Sequence, residues 1–182
     1  MELLWTDFLN TEWHDWRGTG HSEDRLEQPE SLRRFLEAWH LAAPVPPDPE
    51  TLQSLRGLRT LLREVAEGLA AGQGVPDGVL VAINRLMAEG PVCRRLEPTP
   101  EGHRLALIPA RQGWPQVMAE IAASLAATLA EGEAARVRIC ENPDCRWVFY
   151  DETRNRAKRY CDDKLCGNLM KVRRFRARQR GG

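Results

Sequence analysis

Four cysteines near the C-terminal end are set as two equal pairs, Cys140-x4-Cys145 and Cys161-x4-Cys166, with fifteen residues between the pairs. No other feature of the chain restricts its fold as strongly. Four thiolates complete a closed tetrahedral shell around Zn²⁺, and a closed shell leaves no position for substrate or activated water. The spacing therefore predicts one zinc, structural rather than catalytic, held by Cys140, Cys145, Cys161 and Cys166. The alternative is a pair of disulfides, as in small secreted scaffolds. Residues Met1 to Asp7 carry neither a basic leader nor a long apolar stretch, so the expectation is a cytoplasmic chain with reduced thiols.

The formal net charge is zero, and this conceals an asymmetry. From Arg136 onward there are 14 Arg and Lys against 6 Asp and Glu, a balance of +8; the other 12 basic and 20 acidic residues leave the first 135 positions at −8. A basic module accumulates on polyanions while an acidic body keeps off them. All three lysines, Lys158, Lys164 and Lys171, lie in the basic part, and the rest of its charge is arginine, suited to phosphate and base-edge contacts. No window of about 18 residues is free of charges and turn formers, so no membrane-spanning helix is expected.

Along the acidic body, Leu3 to Asn10 is short and apolar and is read as a helix. Gly18 to Asp24 is a loop by composition. Leu32, Phe35, Leu36 and Trp39 recur at helical spacing, and Pro44, Pro46 and Pro47 are expected to stop that helix. Asp48-Pro49 is a helix start, followed by a stripe of Leu52, Leu55, Leu58, Leu62, Val65 and Leu69 that ends at Gly72. Asp77 is expected to cap a third helix bearing Val79, Leu80, Ile83, Leu86 and Met87. The segments 92–97 and 104–108 flank Pro98 to Gly102 as a β-hairpin, with Cys93 as a buried small hydrophobe. Trp114, Val117, Met118, Ile121, Leu125 and Leu129 then mark a long helix up to Gly132.

Within the cysteine module, Val137-Arg138-Ile139 and Trp147 to Tyr150 read as strands, and Asn142-Pro143-Asp144 supplies turn residues between the first two cysteines. Residues 151–159 form a polar tip with four cations. Asp162 or Asp163 then caps a helix whose stripe is Leu165, Leu169, Val172 and Phe175. The order of knuckle, hairpin and helix is treble-clef-like. The fold class is thus α+β: a mostly helical N-terminal domain, residues 1–135, with a small antiparallel sheet, and a C-terminal treble-clef-like zinc finger, residues 136–182.

Arg159-Tyr160-Cys161 through Cys166-Gly167-Asn168, followed by Lys171-Val172-Arg173-Arg174-Phe175-Arg176-Ala177-Arg178, closely resembles the CGNR zinc finger. The body, with Phe8-Leu9-Asn10-Thr11 near its start and Arg17 soon after, resembles the ABATE domain that precedes this finger in a bacterial family of stress-induced transcription regulators. The tetrapeptide that names the finger ends in arginine, whereas this chain has Leu169; whatever that arginine does in the family is then missing here or falls to Lys171 or Arg173. The resemblance implies a body that senses a ligand or dimerises and a finger that reads DNA. By the same resemblance Asn10, Thr11 and Arg17 would line a pocket for a small anionic metabolite, since arginine holds carboxylate or phosphate bidentately. Those residues have a plainer use: Asn10 and Thr11 satisfying backbone groups at the end of an element, Arg17 pairing with Glu12 or Asp15.

The function expected is transcription regulation through duplex DNA. Phosphate contacts would come from Arg154, Arg156, Lys158 and Arg159 on the tip and from Lys171, Arg173, Arg174, Arg176, Arg178 and Arg180 on the terminal helix. One finger buries too little surface for high affinity alone, so a homodimer reading two half-sites is expected. The alternative is an adaptor whose finger docks a protein or structured RNA. An enzyme is not expected: the four histidines have no metal-ligand spacing, and no P-loop, dinucleotide glycine pattern or Gly-x-Ser-x-Gly elbow is present.

Overall fold

The computed structural model describes residues 3–131 and 134–180. At the centre of the body is a six-residue helix, α1 (Leu4–Leu9), in which Trp5, Phe8 and Leu9 are at most 1% exposed. So short a helix has little stability of its own, and burial holds it in place. It lies against α3 (Pro49–Ala70), α5 (Trp114–Ala130) and the strand β6 (Val148–Tyr150). The Trp5 indole N–H donates to Thr128 Oγ1 on α5 at 3.0 Å, which gives the buried ring its polar partner.

The longer helices follow the sequence reading. In α2 (Pro29–Ala38) the expected Leu32, Phe35 and Leu36 are buried, but the helix ends at Ala38, well before the prolines, with His40 in the left-handed region at φ 53°. Asp48 caps α3 as expected, accepting the Thr51 N–H at 2.9 Å and its hydroxyl at 2.8 Å; Leu55 and Leu62 are fully buried, and Gly72 at φ 73° follows the C-terminus. In α4 (Asp77–Glu89), Asp77 is not the cap. Pro76 occupies that position in extended conformation, and the carbonyl of Pro76 accepts from Val79 and Leu80. Only Ile83 of the expected stripe is buried. Helices α4 and α5 close tightly at Gly90, where a methyl group would stand 2.3 Å from the Ala119 Cβ. The glycine expected to close α5, at position 132, lies outside the described residues.

Among the described residues the helices are joined by three two-stranded antiparallel sheets. Ser22–Asp24, the end of the segment expected as a loop over Gly18 to Asp24, forms instead the strand β2 (Ser22–Asp24), paired with β1 (Glu12–His14). Asp15 makes this possible: its carboxylate accepts the Arg17 N–H at 3.1 Å and the Thr19 hydroxyl at 2.7 Å, and its N–H reaches the His21 carbonyl. Strands β3 (Val92–Thr99) and β4 (Gly102–Pro109) are longer than expected, joined by Pro100 and Glu101 alone. The hairpin stands off the core. Leu96, Leu105 and Leu107 are each about two thirds exposed, and Cys93, expected to be buried, is exposed because β3 and β4 pack chiefly on each other among the described residues.

The third sheet, β5 (Val137–Ile139) with β6, begins the finger, yet Val137 and Val148 lie in the same hydrophobic cluster as α1, α3 and α5. A second cluster gathers Cys140, Cys145, Phe149, Tyr160 and Cys166, with Trp16 of the body packed against it. The core of the body therefore extends into the first sheet of the finger, and the cysteine cluster in turn reaches back to Trp16.

Candidate metal centre and basic cleft

The four cysteines converge as expected. Their sulfurs all lie within 4.8 Å of one another, with Cys145 to Cys161 at 3.6 Å and Cys161 to Cys166 at 3.8 Å. Zinc at about 2.3 Å from each sulfur requires a tetrahedral edge of roughly 3.8 Å. A disulfide requires roughly 2.05 Å. The spacing fits one zinc, and the disulfide alternative does not describe this structure, in which all four thiols are free.

Electrostatics agree with the distances. Without a cation, thiols so crowded cannot share negative charge: hydrogen bonds from Cys145, then Cys161, hold Cys140 down to about 2. Cys145, bound to Cys140, is pushed up to about 12, and Cys161 rises further for the same reason. Cys166 is raised by burial first. A divalent cation resolves this conflict by holding all four as thiolates.

Local structure aims the ligands. Cys140 leaves β5 with its N–H on the Trp147 carbonyl, and the Cys145 N–H closes a turn onto Asn142. Asp162 is the cap of the last segment, its Oδ1 accepting from Lys164 and Leu165 at 2.7 and 2.9 Å. One wide turn, Asp163–Gly167, presents Cys166 before the basic helix α6 (Asn168–Arg180) begins. Asn142, fully buried, donates to Cys166 Sγ at 3.3 Å and to the Trp16 carbonyl at 2.8 Å. An outer partner of a metal sulfur is thus also a link to the body.

Further links follow the same seam. Asn10, 3% exposed, donates to the Val148 carbonyl at 2.8 Å and accepts the Val148 N–H at 2.9 Å, so its amide pairs with β6 as a backbone would. Arg173 reaches Asp144 at 2.6 Å and the Arg17 carbonyl at 2.9 Å, close beside Gly18, whose φ is 86°. Leu169 is half-buried, and Arg173 makes the salt bridge one turn further along α6. Arg63 of α3 donates to the Arg146 carbonyl at 2.9 Å.

The cations proposed for nucleic acid divide into two groups. Arg154, Lys158, Arg159 and Lys171 line a cleft of about 410 Å³ between the loop 151–160 and the start of α6, with Tyr160 and Asp163 on its walls. Buried Asp151 shapes that loop by accepting from Thr153 N and Oγ1 and from Lys158 N; burial opposes its charge, but these bonds prevail and hold its carboxyl below the usual range. Lys158 also stands 5.3 Å from the Phe149 ring. Arg159 is paired with Glu141, and Arg156, away from this cleft, accepts Arg138 at its carbonyl. On α6, Lys171, Arg174, Arg176, Arg178 and Arg180 are exposed, whereas Arg173 belongs to the seam. The stripe expected to pack α6 is exposed too: Leu165 at 46%, Val172 at 44% and Phe175 at 60%. The finger is too small to cover both faces of this helix.

The expected ligand trio does not converge. Asn10 and Thr11 border a depression of about 410 Å³ in the body, but Arg17 lies elsewhere, its side chain 65% exposed, 3.6 Å from Asp15 and over the Trp16 ring. Arg17 is thus corrected out of that pocket by the turn that Asp15 organises. The sequence reading missed a network behind Thr11: Arg59, 9% exposed, grips Asp24 at 2.7 and 3.0 Å and donates to Thr11 Oγ1 at 3.2 Å, with Arg56 on the same carboxylate. An Asp and an Arg 35 residues apart carry no local signal of pairing.

Among the described residues no helix is long and apolar enough to cross a membrane. Two family models match. The one described as "Putative stress-induced transcription regulator", ABATE, covers residues 2–132, and the CGNR zinc finger covers residues 136–179. None of the curated proteins compared with the chain matches it. With a four-sulfur site inside the finger match and an ABATE match over most of its length, the chain belongs to the ABATE family and carries a C-terminal CGNR zinc finger.

Proposed function

We propose that this chain is a zinc-dependent transcription regulator whose finger grips duplex DNA by its phosphates. The observation that carries the reading is the cleft of Arg154, Lys158, Arg159 and Lys171, followed directly by the exposed cations Arg174, Arg176, Arg178 and Arg180 on α6. Successive backbone phosphates along the cleft would each meet a cation of their own, and α6 would follow along the strand. Arg173 has a different role here. It fixes α6 to the body, so the basic helix is presented on a rigid support.

Binding by two copies would supply the surface that one finger lacks. The β3–β4 hairpin supports a dimer: Val92, Leu96, Leu105 and Leu107 share one face and are 46 to 67% exposed, and a two-stranded hairpin in water is marginal without cover. The exposed Leu165, Val172 and Phe175 favour a second reading, an adaptor that docks a protein along α6.

The two readings separate in one experiment. The zinc-loaded chain is passed over immobilised duplex DNA and structured RNA at several salt concentrations, and bound genomic fragments are recovered in parallel. The regulator reading requires retention on duplex that salt reverses, with enrichment of discrete genomic sites. Retention on neither, or preference for structured RNA, would refute it in favour of the adaptor.

A further inference from the structure

The depression beside Asn10 lies between α1, β2 and α2, and its charges are arranged in an unusual way. Asp7, Glu23, Arg25 and Arg34 all line it. Two carboxylates and two guanidinium groups would ordinarily pair with one another, yet among the described residues no ion pair joins any two of the four; Glu23 pairs with His21 instead, and the charge of Arg25 reaches it only at longer range. Asp7 accepts the Trp39 indole N–H at 2.7 Å; Glu23 accepts from His21 and Gln28; Arg25 stands over the Trp13 ring at 5.6 Å; Arg34 donates to the Ser31 hydroxyl at 3.3 Å.

We propose that this depression binds a small zwitterion, an α-amino acid, with its carboxylate toward Arg25 and Arg34 and its ammonium toward Asp7 and Glu23. A simple anion would confront both carboxylates, and a simple cation both guanidinium groups. Only a ligand with both charges satisfies the whole lining, and unlike partners are rejected by the group left unmatched. A volume of about 410 Å³ falls within the range of small-molecule sites and exceeds the need of one amino acid. Phe35 and Ala38 give the side chain an apolar wall.

The site has a route to the finger. Asp7 and Asn10 line both this depression and a narrow crevice of about 40 Å³ against Trp147, Val148 and Phe149. Asn10 is the residue that clamps Val148. A ligand held by Asp7 therefore bears on the same end of α1 that supports β6, which leads away from the metal site. In purpose this rests on the regulator reading; the binding itself does not.

The test is equilibrium dialysis of the zinc-loaded full chain against an equimolar mixture of the twenty L-amino acids, with the N-acetylated and α-amidated mixtures in parallel. The expected result is enrichment of one amino acid or a few, absent from both derivative mixtures and weakened about tenfold or more in Arg34→Gln and in Arg25→Gln. Arg34 is exposed, so its variant folds, and thermal unfolding of both variants verifies this. No enrichment, equal uptake of either derivative, or uptake indifferent to both substitutions would overturn the proposal. Duplex retention by the same ligand-free variants separates the two claims: DNA binding without amino-acid binding defeats this site alone, and the converse defeats only the regulator reading.

Discussion

Replacing Asn10 by alanine removes the clamp between body and finger and nothing else of size. The side chain is 3% exposed, and both of its hydrogen bonds go to the Val148 backbone, at 2.8 and 2.9 Å. Alanine leaves a buried N–H and a buried C=O on β6 without partners. Each such group costs roughly 1–3 kcal/mol, so the pair costs about 4 kcal/mol at the middle of that range. For a chain of this size that lowers Tm by about 8–16 °C. Calorimetry of the zinc-loaded variant measures it, and hydrogen exchange locates it, because the Val148 amide should lose protection ahead of α3. Asn10→Asp should do at least as badly, since a carboxylate oxygen would then face the Val148 carbonyl. A Tm within about 1 °C of the parent, or an unchanged Val148 amide, would refute the clamp.

Three other perturbations probe different parts of the fold. Gly90→Ala should destabilise by about 1–3 kcal/mol, read by denaturant unfolding, because its methyl group would overlap Ala119; an unchanged midpoint would contradict the packing of α4 on α5. Burial opposes the charge of Asp24, but its bonds to Arg59 and Arg56 prevail and hold its carboxyl below the ordinary value. Its contribution is therefore complete above about pH 4 and fades as pH falls through the folded value, so the stability difference between the parent and Asp24→Asn should shrink on acidification. A difference that stays constant from pH 6 to pH 2 would contradict this. Removing zinc by chelation, or Cys161→Ser, should loosen the body as well as the finger, because Val137 and Val148 share the core of α1, α3 and α5. A body transition indifferent to zinc would show the two parts to be independent.

The cysteine quartet was legible in the sequence because ligand identity and spacing are local facts. The same holds for α3, whose Asp48 cap and leucine stripe both lie within one run of chain. The β1–β2 hairpin was not legible. Ser22, Glu23 and Asp24 have the composition of a loop, and only Asp15, accepting from Arg17 and Thr19, turns the chain back upon itself. Asn10, expected to line a pocket or to satisfy backbone groups at the end of an element, does the second while bordering the depression, but the backbone it serves was not legible. Its partner lies 138 residues away, and no sequence pattern announces a side chain that pairs with a distant strand. The stripe on α6 was visible, but periodicity reports which face is apolar and not whether anything covers it; Val172 and Phe175 remain in water. Arg17 and Arg25 are alike in composition, and tertiary placement alone decides which of them borders the depression.

The central claim is that the cleft of the finger holds DNA phosphates, and the slope of log K against log salt measures this most directly. Truncating α6 would also remove Arg173 and its links to Asp144 and Arg17, so the cleft is better altered by Arg154→Gln, Lys158→Gln and Lys171→Gln together, which leave the four cysteines and the seam intact. Each phosphate no longer neutralised should lower the slope by about 0.9, giving a reduction of roughly 2.7 with the zinc content unchanged. A triple variant whose slope and affinity equal those of the parent, or a parent that binds no duplex at about 50 mM salt, would contradict the account.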